Sequence, residues 1–379
     1  MRATRAEVDL DAVAHNVRAL AEVFAPAALC AVVKADGYGH GSIAVAEAAV
    51  GAGAEWLAVA LVEEGAVLRR SGIDVPILLL SEPRPGDLTS AVRHGLRLTL
   101  DTAEGVEVAE QAAALHGSPV AVHLKVDTGM HRVGCAPGDA VALARQVLDA
   151  PHLELEALWT HCAVADEPDN PFTDAQIDRF EAVVAELAAA GASVGMRHVA
   201  NTAAGIAHPR SRMDLVRAGI GIYGIVPSDA VGGDVDLRPA LRLVAEVSHV
   251  QRVPAGDGIS YGLRHHVERD TVVATVPIGY ADGVVRSLGT GRAEVLIGGR
   301  RCPMVGVVTM DQLMVDCGPD ARVAPGDEVV LLGAQESEVV GPADWARMLG
   351  TIPYEVVCGI GPRVPRLFHR GDDRRQVVR

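Results

Sequence analysis

Lysine is almost missing from this chain. Of its 34 basic residues only Lys34 and Lys125 are lysine, and the other 32 are arginine. A guanidinium is effectively always charged, whereas an amine can lose its proton and attack a carbonyl. The two surviving lysines therefore invite a chemical role that arginine could not fill. Runs of basic residues are also lacking, and the net charge is -15. That balance repels nucleic acid and anionic membrane surfaces and leaves a small molecule as the expected partner. Six cysteines (30, 135, 162, 302, 317 and 358) include no CxxC pair. Neither a zinc site nor a disulfide framework is suggested, and most should be small buried hydrophobes. The histidines lack metal-ligand spacing, so no metal is expected and a metal-dependent barrel hydrolase is a weak alternative. The opening MRATRAEVDLDAVAHNV puts acids where a secretory signal needs an unbroken apolar stretch. No segment approaches membrane-spanning length, and a cytoplasmic protein is expected.

What the sequence does contain is ample core, with 49% apolar and 22% charged residues over 379 positions. That length suggests two domains. From residue 11 to about 225, apolar runs alternate with stretches at helical spacing. The runs are Leu29–Val33, Trp56–Ala60, Pro76–Leu80, Leu96–Leu100, Val120–Val126, Leu155–Trp159, Met196–Ala200 and Gly219–Tyr223. Helical patterns include Asp11–Phe24, Ala103–Leu115 and Asp174–Ala190, the first and last opening on an Asp read as a cap. Eight such alternations predict an α/β fold with an N-terminal (β/α)8 TIM-like barrel.

A small-residue stretch at Ser228–Asp236 marks a linker, giving domains 1–235 and 236–379. Beyond it Leu241–Val253, Thr271–Val276, Glu294–Ile297, Met304–Val308 and Glu328–Leu332 read as strands of a mostly β C-terminal domain. The closing GDDRRQVVR is expected to fray.

Barrels of this kind carry their chemistry at the carboxyl ends of the strands. Lys34 closes the first run, Lys125 lies near the end of the fifth, and His161 and Asn201 follow the sixth and seventh. Arg217 precedes the eighth run and obeys the strand-end rule least well.

The segment AVVKADGYGHG around Lys34 resembles the lysine-bearing segment of alanine racemases. The similarity continues through HLKVDTGMHRVG, THCAVADE, HVANTAA, VRAGIGIYG, GISYG, IGYADG, TMDQ and IPYEVVCGIGPRVPR, in family order and over nearly the whole chain. All five tyrosines, Tyr38, Tyr223, Tyr261, Tyr280 and Tyr354, fall inside these segments. The resemblance implies a homodimeric, pyridoxal 5'-phosphate-dependent isomerase (EC 5.1.1.1) that interconverts L- and D-alanine and supplies D-alanine for cell-wall peptidoglycan. Lys34 would hold the cofactor as a Schiff base and serve one face of the α-carbon. Tyr261, reaching in from the partner subunit, would serve the other. A proton leaves one side of a planar carbanion and returns on the other, so two flanking groups are a direct solution.

By the same resemblance, His161 and Arg217 would favour the tyrosine anion by positive charge, with Arg217 at the pyridine nitrogen. Arg132 would orient the substrate carboxylate, and Lys125 matches a lysine that is carbamylated in many members. Cofactor contacts would come from Tyr38, His161, Asn201, Thr202, Arg217, Gly219, Ile220 and Tyr354. Met310, Asp311 and Tyr280 would line the substrate. Thr309, His131 and Cys162 depart from the commoner family pattern and leave the strictness of alanine selection open. A broader amino-acid racemase or a related decarboxylase is the alternative enzyme, and a non-catalytic cofactor carrier the alternative of another class.

Overall fold

The computed structural model describes residues 3–371 and 373–376. The chain falls into two compact units. One comprises Ala12–Gly37 and Ser42–Arg238, and the other gathers residues up to Asp11, Tyr38–Gly41 and the chain from Pro239 onward.

The first unit is the expected barrel. Its eight parallel strands are Ala28–Val32, Trp56–Val59, Ile77–Leu79, Leu98–Leu100, Val120–Lys125, Leu153–Trp159, Met196–His198 and Leu215–Ala218. They form two four-stranded sheets. Bridges Leu78↔Arg97 and Asn201↔Arg217 join the sheets into a ring. Strands buried on both faces need continuous apolar sequence, which is why these segments read as short runs rather than alternations. The eighth strand corrects the sequence reading: Gly219 precedes a 3-10 turn, Ile220–Tyr223, and the strand lies just before it. Leu215–Ala218 carries an arginine in mid-run, which hid it. Arg217 consequently sits inside a strand near its carboxyl end, and its apparent exception to the strand-end rule disappears.

Two helix caps are also corrected. Helix Leu10–Phe24 begins one residue before Asp11, whose N–H donates to Asp9 Oδ1 at 2.9 Å, so Asp9 closes that end. Helix Phe172–Ala189 starts after Pro171, and Asp174 lies in its first turn. An acid there still favours the positive end of the helix, which explains the shared signal.

In the second unit a long sheet runs in the order His249–Val253, Thr271–Val276, Leu313–Gly318, Arg300–Val305, Glu294–Ile297, Glu328–Gln335, Leu241–Glu246, Arg5–Asp9, Arg366–Arg370 and Asp373–Gln376. The N-terminal Arg5–Asp9 pairs antiparallel with Leu241–Glu246 and parallel with Arg366–Arg370. A boundary at 235/236 cannot express that pairing. The expected single strand Leu241–Val253 is two: Val247 N–H bonds Asp327 O and Ser248 N–H bonds Thr275 O, so the chain changes partners at that point. Of the tail expected to fray, Asp373–Gln376 pairs with Arg370–Leu367, and 372 and 377–379 lie outside the described residues.

Candidate active site

Lys34 follows the first barrel strand and opens a turn of unusual hand. Ala35, Asp36, Gly37 and Tyr38 have φ of 52°, 51°, 62° and 51°. For residues with a Cβ this left-handed conformation costs roughly 1–2 kcal/mol each. The surroundings hold it in place. Glu64 accepts the N–H of Ala35 on Oε1 at 2.7 Å and those of Ala60 and Leu61 on Oε2 at 2.9 and 3.1 Å. Asp36 Oδ1 accepts Ser42 N–H at 3.0 Å. A Glu64→Ala substitution should leave three backbone donors without their acceptor and lower stability by about 1–3 kcal/mol. A urea titration of the variant tests this; an unchanged midpoint would show that the turn holds itself.

At the carboxyl end of the barrel, polar and aromatic groups replace the usual apolar layer. Lys125, Trp159 and His198 are register partners on the fifth, sixth and seventh strands, and partners in a parallel pair face the same side. Lys125 Nζ lies 3.9 Å from the Trp159 ring centroid, the Arg217 guanidinium carbon lies 4.6 Å from it, and His198 stacks on it at 5.2 Å. Both side chains lie over the indole face, which attracts the Arg217 cation. Lys125, only 3% exposed, donates to Leu80 O at 3.0 Å. Burial, with Arg217 and Arg132 nearby, pushes its amine down to about 7.

Arg217 is 2% exposed. It donates from Nη1 to His198 Nδ1 at 2.7 Å, and from Nη2 to Thr160 O, Val199 O and His161 Nδ1 at 2.9, 3.0 and 3.1 Å. Its Nε makes no hydrogen bond among the described residues. Burial lowers its guanidinium to about 10, which keeps it cationic at neutral pH. His161 is held well below the usual imidazole range by burial and by Arg217, Arg132, Lys125 and Lys34. It is therefore neutral and cannot supply the positive charge expected of it. Because its Nδ1 accepts from arginine, its Nε2 carries the proton.

Lys125, Arg132 and His161 line one small pocket together with Thr160 and Met130. The next barrel loops approach each other through Thr202 Oγ1, which accepts Gly219 N–H at 2.8 Å. Asn201 Oδ1 caps Ala204 N–H at 2.9 Å and so shapes this loop. Gly219 has its N–H engaged, whereas those of Ile220 and Gly221, opening the following turn, have no acceptor among the described residues.

In the second unit, Tyr280 and Ala281 donate their N–H groups to Thr309 O and Met310 O at 3.0 and 3.1 Å. Asp311 is bound by Arg363 at 2.6 Å, and Arg363 Nε also lies 3.2 Å from the buried Asp282. Tyr261 is 73% exposed and lines an open groove with Ser260, Thr309 and Gln312. Tyr38 and Tyr354 meet with ring centroids 6.1 Å apart. Burial, then Tyr354 and Cys358, raise the Tyr38 hydroxyl above the usual phenol range.

Residues 8–227 match the family model for the alanine racemase N-terminal domain and residues 240–368 that for the C-terminal domain. The chain belongs to the alanine racemase family. An alanine racemase of Symbiobacterium thermophilum is 48% identical, with 97% of each chain covered. Alanine racemase from Bacillus anthracis, solved with bound L-Ala-P, superposes with a TM-score of 0.92 at 38% identity, covering 99% of this chain and 98% of that one. Histidine racemase from Leuconostoc mesenteroides has a TM-score of 0.89 at 29% identity, covering 97% and 98%.

For an alanine racemase family member, the residues singled out in sequence divide by unit. The barrel brings Lys125, Arg132, His161 and Arg217 together, and Thr202 with Gly219. The β unit brings Tyr280, Met310 and Asp311 together, and Tyr38 with Tyr354. Sequence reasoning missed Glu64, Trp159, His198 and His123. Trp159 and His198 lie in or beside the quoted motifs, and an aromatic or histidine ending a barrel strand was the available signal. Glu64 gave none, because an acid in a helix's first turn is ordinary.

Proposed function

We propose that this chain racemises alanine with pyridoxal phosphate held at the carboxyl end of its barrel, using Lys34 and Tyr261 of the partner subunit as the two bases. The setting of Arg217 carries the reading. All its acceptors are carbonyls and neutral imidazoles, and its Nε–H is uncommitted. A buried cation that keeps its proton at neutral pH suits the acceptor nitrogen of an aromatic ring that is to stay unprotonated. The Ile220 and Gly221 N–H groups and the Thr202 hydroxyl, on the loop shaped by Asn201 and Gly219, suit a phosphate, to which the family resemblance adds the hydroxyls of Tyr38 and Tyr354. The donors thus fit both ends of the cofactor. When bound, pyridoxal phosphate supplies an electron-withdrawing system that makes the α-proton of an amino acid removable.

The chain's own groups would then divide the work. The Lys34 amine takes or returns the α-proton on one face, and the hydroxyl of Tyr261 of the partner subunit does so on the other. Arg132 offers a guanidinium fork to the substrate carboxylate. His161 presents Nε2–H. By the family resemblance, Met310 and Asp311 of the partner subunit would approach the substrate, and Tyr280 would help to line it. We assign the product, D-alanine, to peptidoglycan precursor supply by a cytoplasmic homodimer.

The deciding experiment is a racemisation assay of the yellow, cofactor-loaded protein against L-alanine, L-serine and L-histidine. Preferential formation of D-alanine without gas release supports the reading. Gas release would point to a decarboxylase, preference for another side chain to a broader racemase, and absence of turnover to a carrier.

Lys125 enters as a carbamate. An amine lowered to about 7 is largely unprotonated just above neutrality. Its nitrogen can then bond the carbon of CO2 with loss of one proton to solvent, placing an anion among Arg132 and Arg217. Protonation blocks the attack, so modification should be present at pH 8 and fall as pH drops below about 7. Protein equilibrated with 13C-bicarbonate should show a carbamate resonance with that pH dependence, absent in Lys125→Arg. No resonance at pH 8 would rule the modification out.

A further inference from the structure

Behind Arg217 a line of polar groups runs from the buried histidines of the barrel interior to a half-buried carboxylate. His198 accepts from Arg217 on Nδ1 at 2.7 Å, and its Nε2 meets His123 Nδ1 at 2.9 Å. His123 Nε2 in turn meets Glu156 Oε2 at 2.8 Å, and Arg97 Nε lies 3.4 Å from that same oxygen. Both histidines are fully buried. The proton positions follow from chemistry. Arginine only donates, so His198 Nδ1 accepts and its Nε2 carries the hydrogen; His123 Nδ1 then accepts and its Nε2 donates to the carboxylate. Every donor points the same way, from the guanidinium toward Glu156.

The fold takes a specific step to end this line on an acid. The fifth and sixth strands pair Val122 with Leu155 but His123 with Ala157, so Glu156 is an extra residue in the sixth strand. A bulge of this kind re-aims the side chain it carries. Val122 and His123 face opposite sides of their strand, so their partners Leu155 and Ala157 do too, and Glu156 stands between them with its carboxylate reaching His123. Burial also holds both imidazoles below their usual range, which keeps them neutral.

We propose that His123 and Glu156 are positioning residues that fix the tautomer of His198 and, through it, the direction of the Arg217 guanidinium. The inference rests on the role assigned to Arg217 above. Without His123, the His198 ring could place its hydrogen on Nδ1, where it would oppose Arg217 instead of accepting from it. The arginine would lose its shortest hydrogen bond, 2.7 Å to His198, and would no longer be held in the direction proposed for meeting the cofactor's ring nitrogen.

The test labels the histidines of the full-length, cofactor-loaded protein with 15N and reads each tautomer from its ring-nitrogen shifts. In the unaltered protein His198 and His123 should both be neutral, with hydrogen on Nε2. His123→Phe should turn His198 into a mixture of tautomers. Glu156→Leu should do the same to His123, and Glu156→Gln, which keeps an acceptor oxygen, should restore the original pattern. The kcat of His123→Phe should fall roughly tenfold, about 1.4 kcal/mol in the barrier, with KM for alanine little changed. An Nδ1–H tautomer of His198 in the unaltered protein, or an unchanged His198 in His123→Phe, would overturn the proposal. Failure of the unaltered protein to turn over alanine would instead sink the functional reading, and the tautomer results would still judge the line of groups on their own.

Discussion

Lys34→Ala is expected to reduce alanine racemisation by roughly a thousandfold or more, since positioned proton transfer alone contributes about 10²–10⁴-fold. Tyr261→Phe should lose activity for the same reason on the opposite face. Mixing the two inactive variants gives the sharper result. If the exposed tyrosine completes its neighbour's site, random reassortment should yield about half heterodimers, each with one site carrying both lesions and one intact. Recovery should approach about a quarter of the unaltered activity per chain. No recovery despite verified exchange would exclude a shared site. Borohydride reduction followed by peptide mapping should also fix the cofactor to Lys34, and label confined to Lys125 would reverse the assignment.

A large loss of stability is expected from Gly39→Ala. Gly39 has φ of 79°, and a Cβ there would stand 2.4 Å from Val357 O, a backbone atom that cannot rotate away. The left-handed conformation adds about 1 kcal/mol and overpacking about 1–3. A combined loss of about 2–4 kcal/mol should appear as a lower midpoint in urea with an unchanged slope. A shift within error would mean that the helix Pro353–Cys358 can retreat without cost.

Sequence periodicity recovered the barrel because strands buried on both faces must be continuously apolar. It failed where function breaks that rule, as in the eighth strand, where Arg217 interrupts the run and the glycine-rich loop beyond looks more strand-like. Sheet order in the β unit was not legible, since Arg5–Asp9 pairs with strands more than 200 residues away and nothing local announces a long-range partner. At the site, the scarcity of lysine pointed to Lys34 and Lys125 through chemistry alone. The protonation state of His161 could not be read, because it depends on burial and on basic residues, Arg217 foremost, that are brought near it only by folding. Glu156 was invisible for a different reason: it is the extra residue of a single-residue bulge, which alternation does not predict.

The layer of Lys125, Trp159, His198 and Arg217 has a consequence for engineering. Residues at that level of a barrel ordinarily serve as filling, and replacing buried ionic groups with well-packed apolar ones is often neutral or stabilising. Selection for heat resistance alone would therefore drift toward leucine and methionine at these positions. The survivors would be sturdier barrels with an inert centre, and a stabilisation campaign on this chain should hold these four positions fixed from the outset.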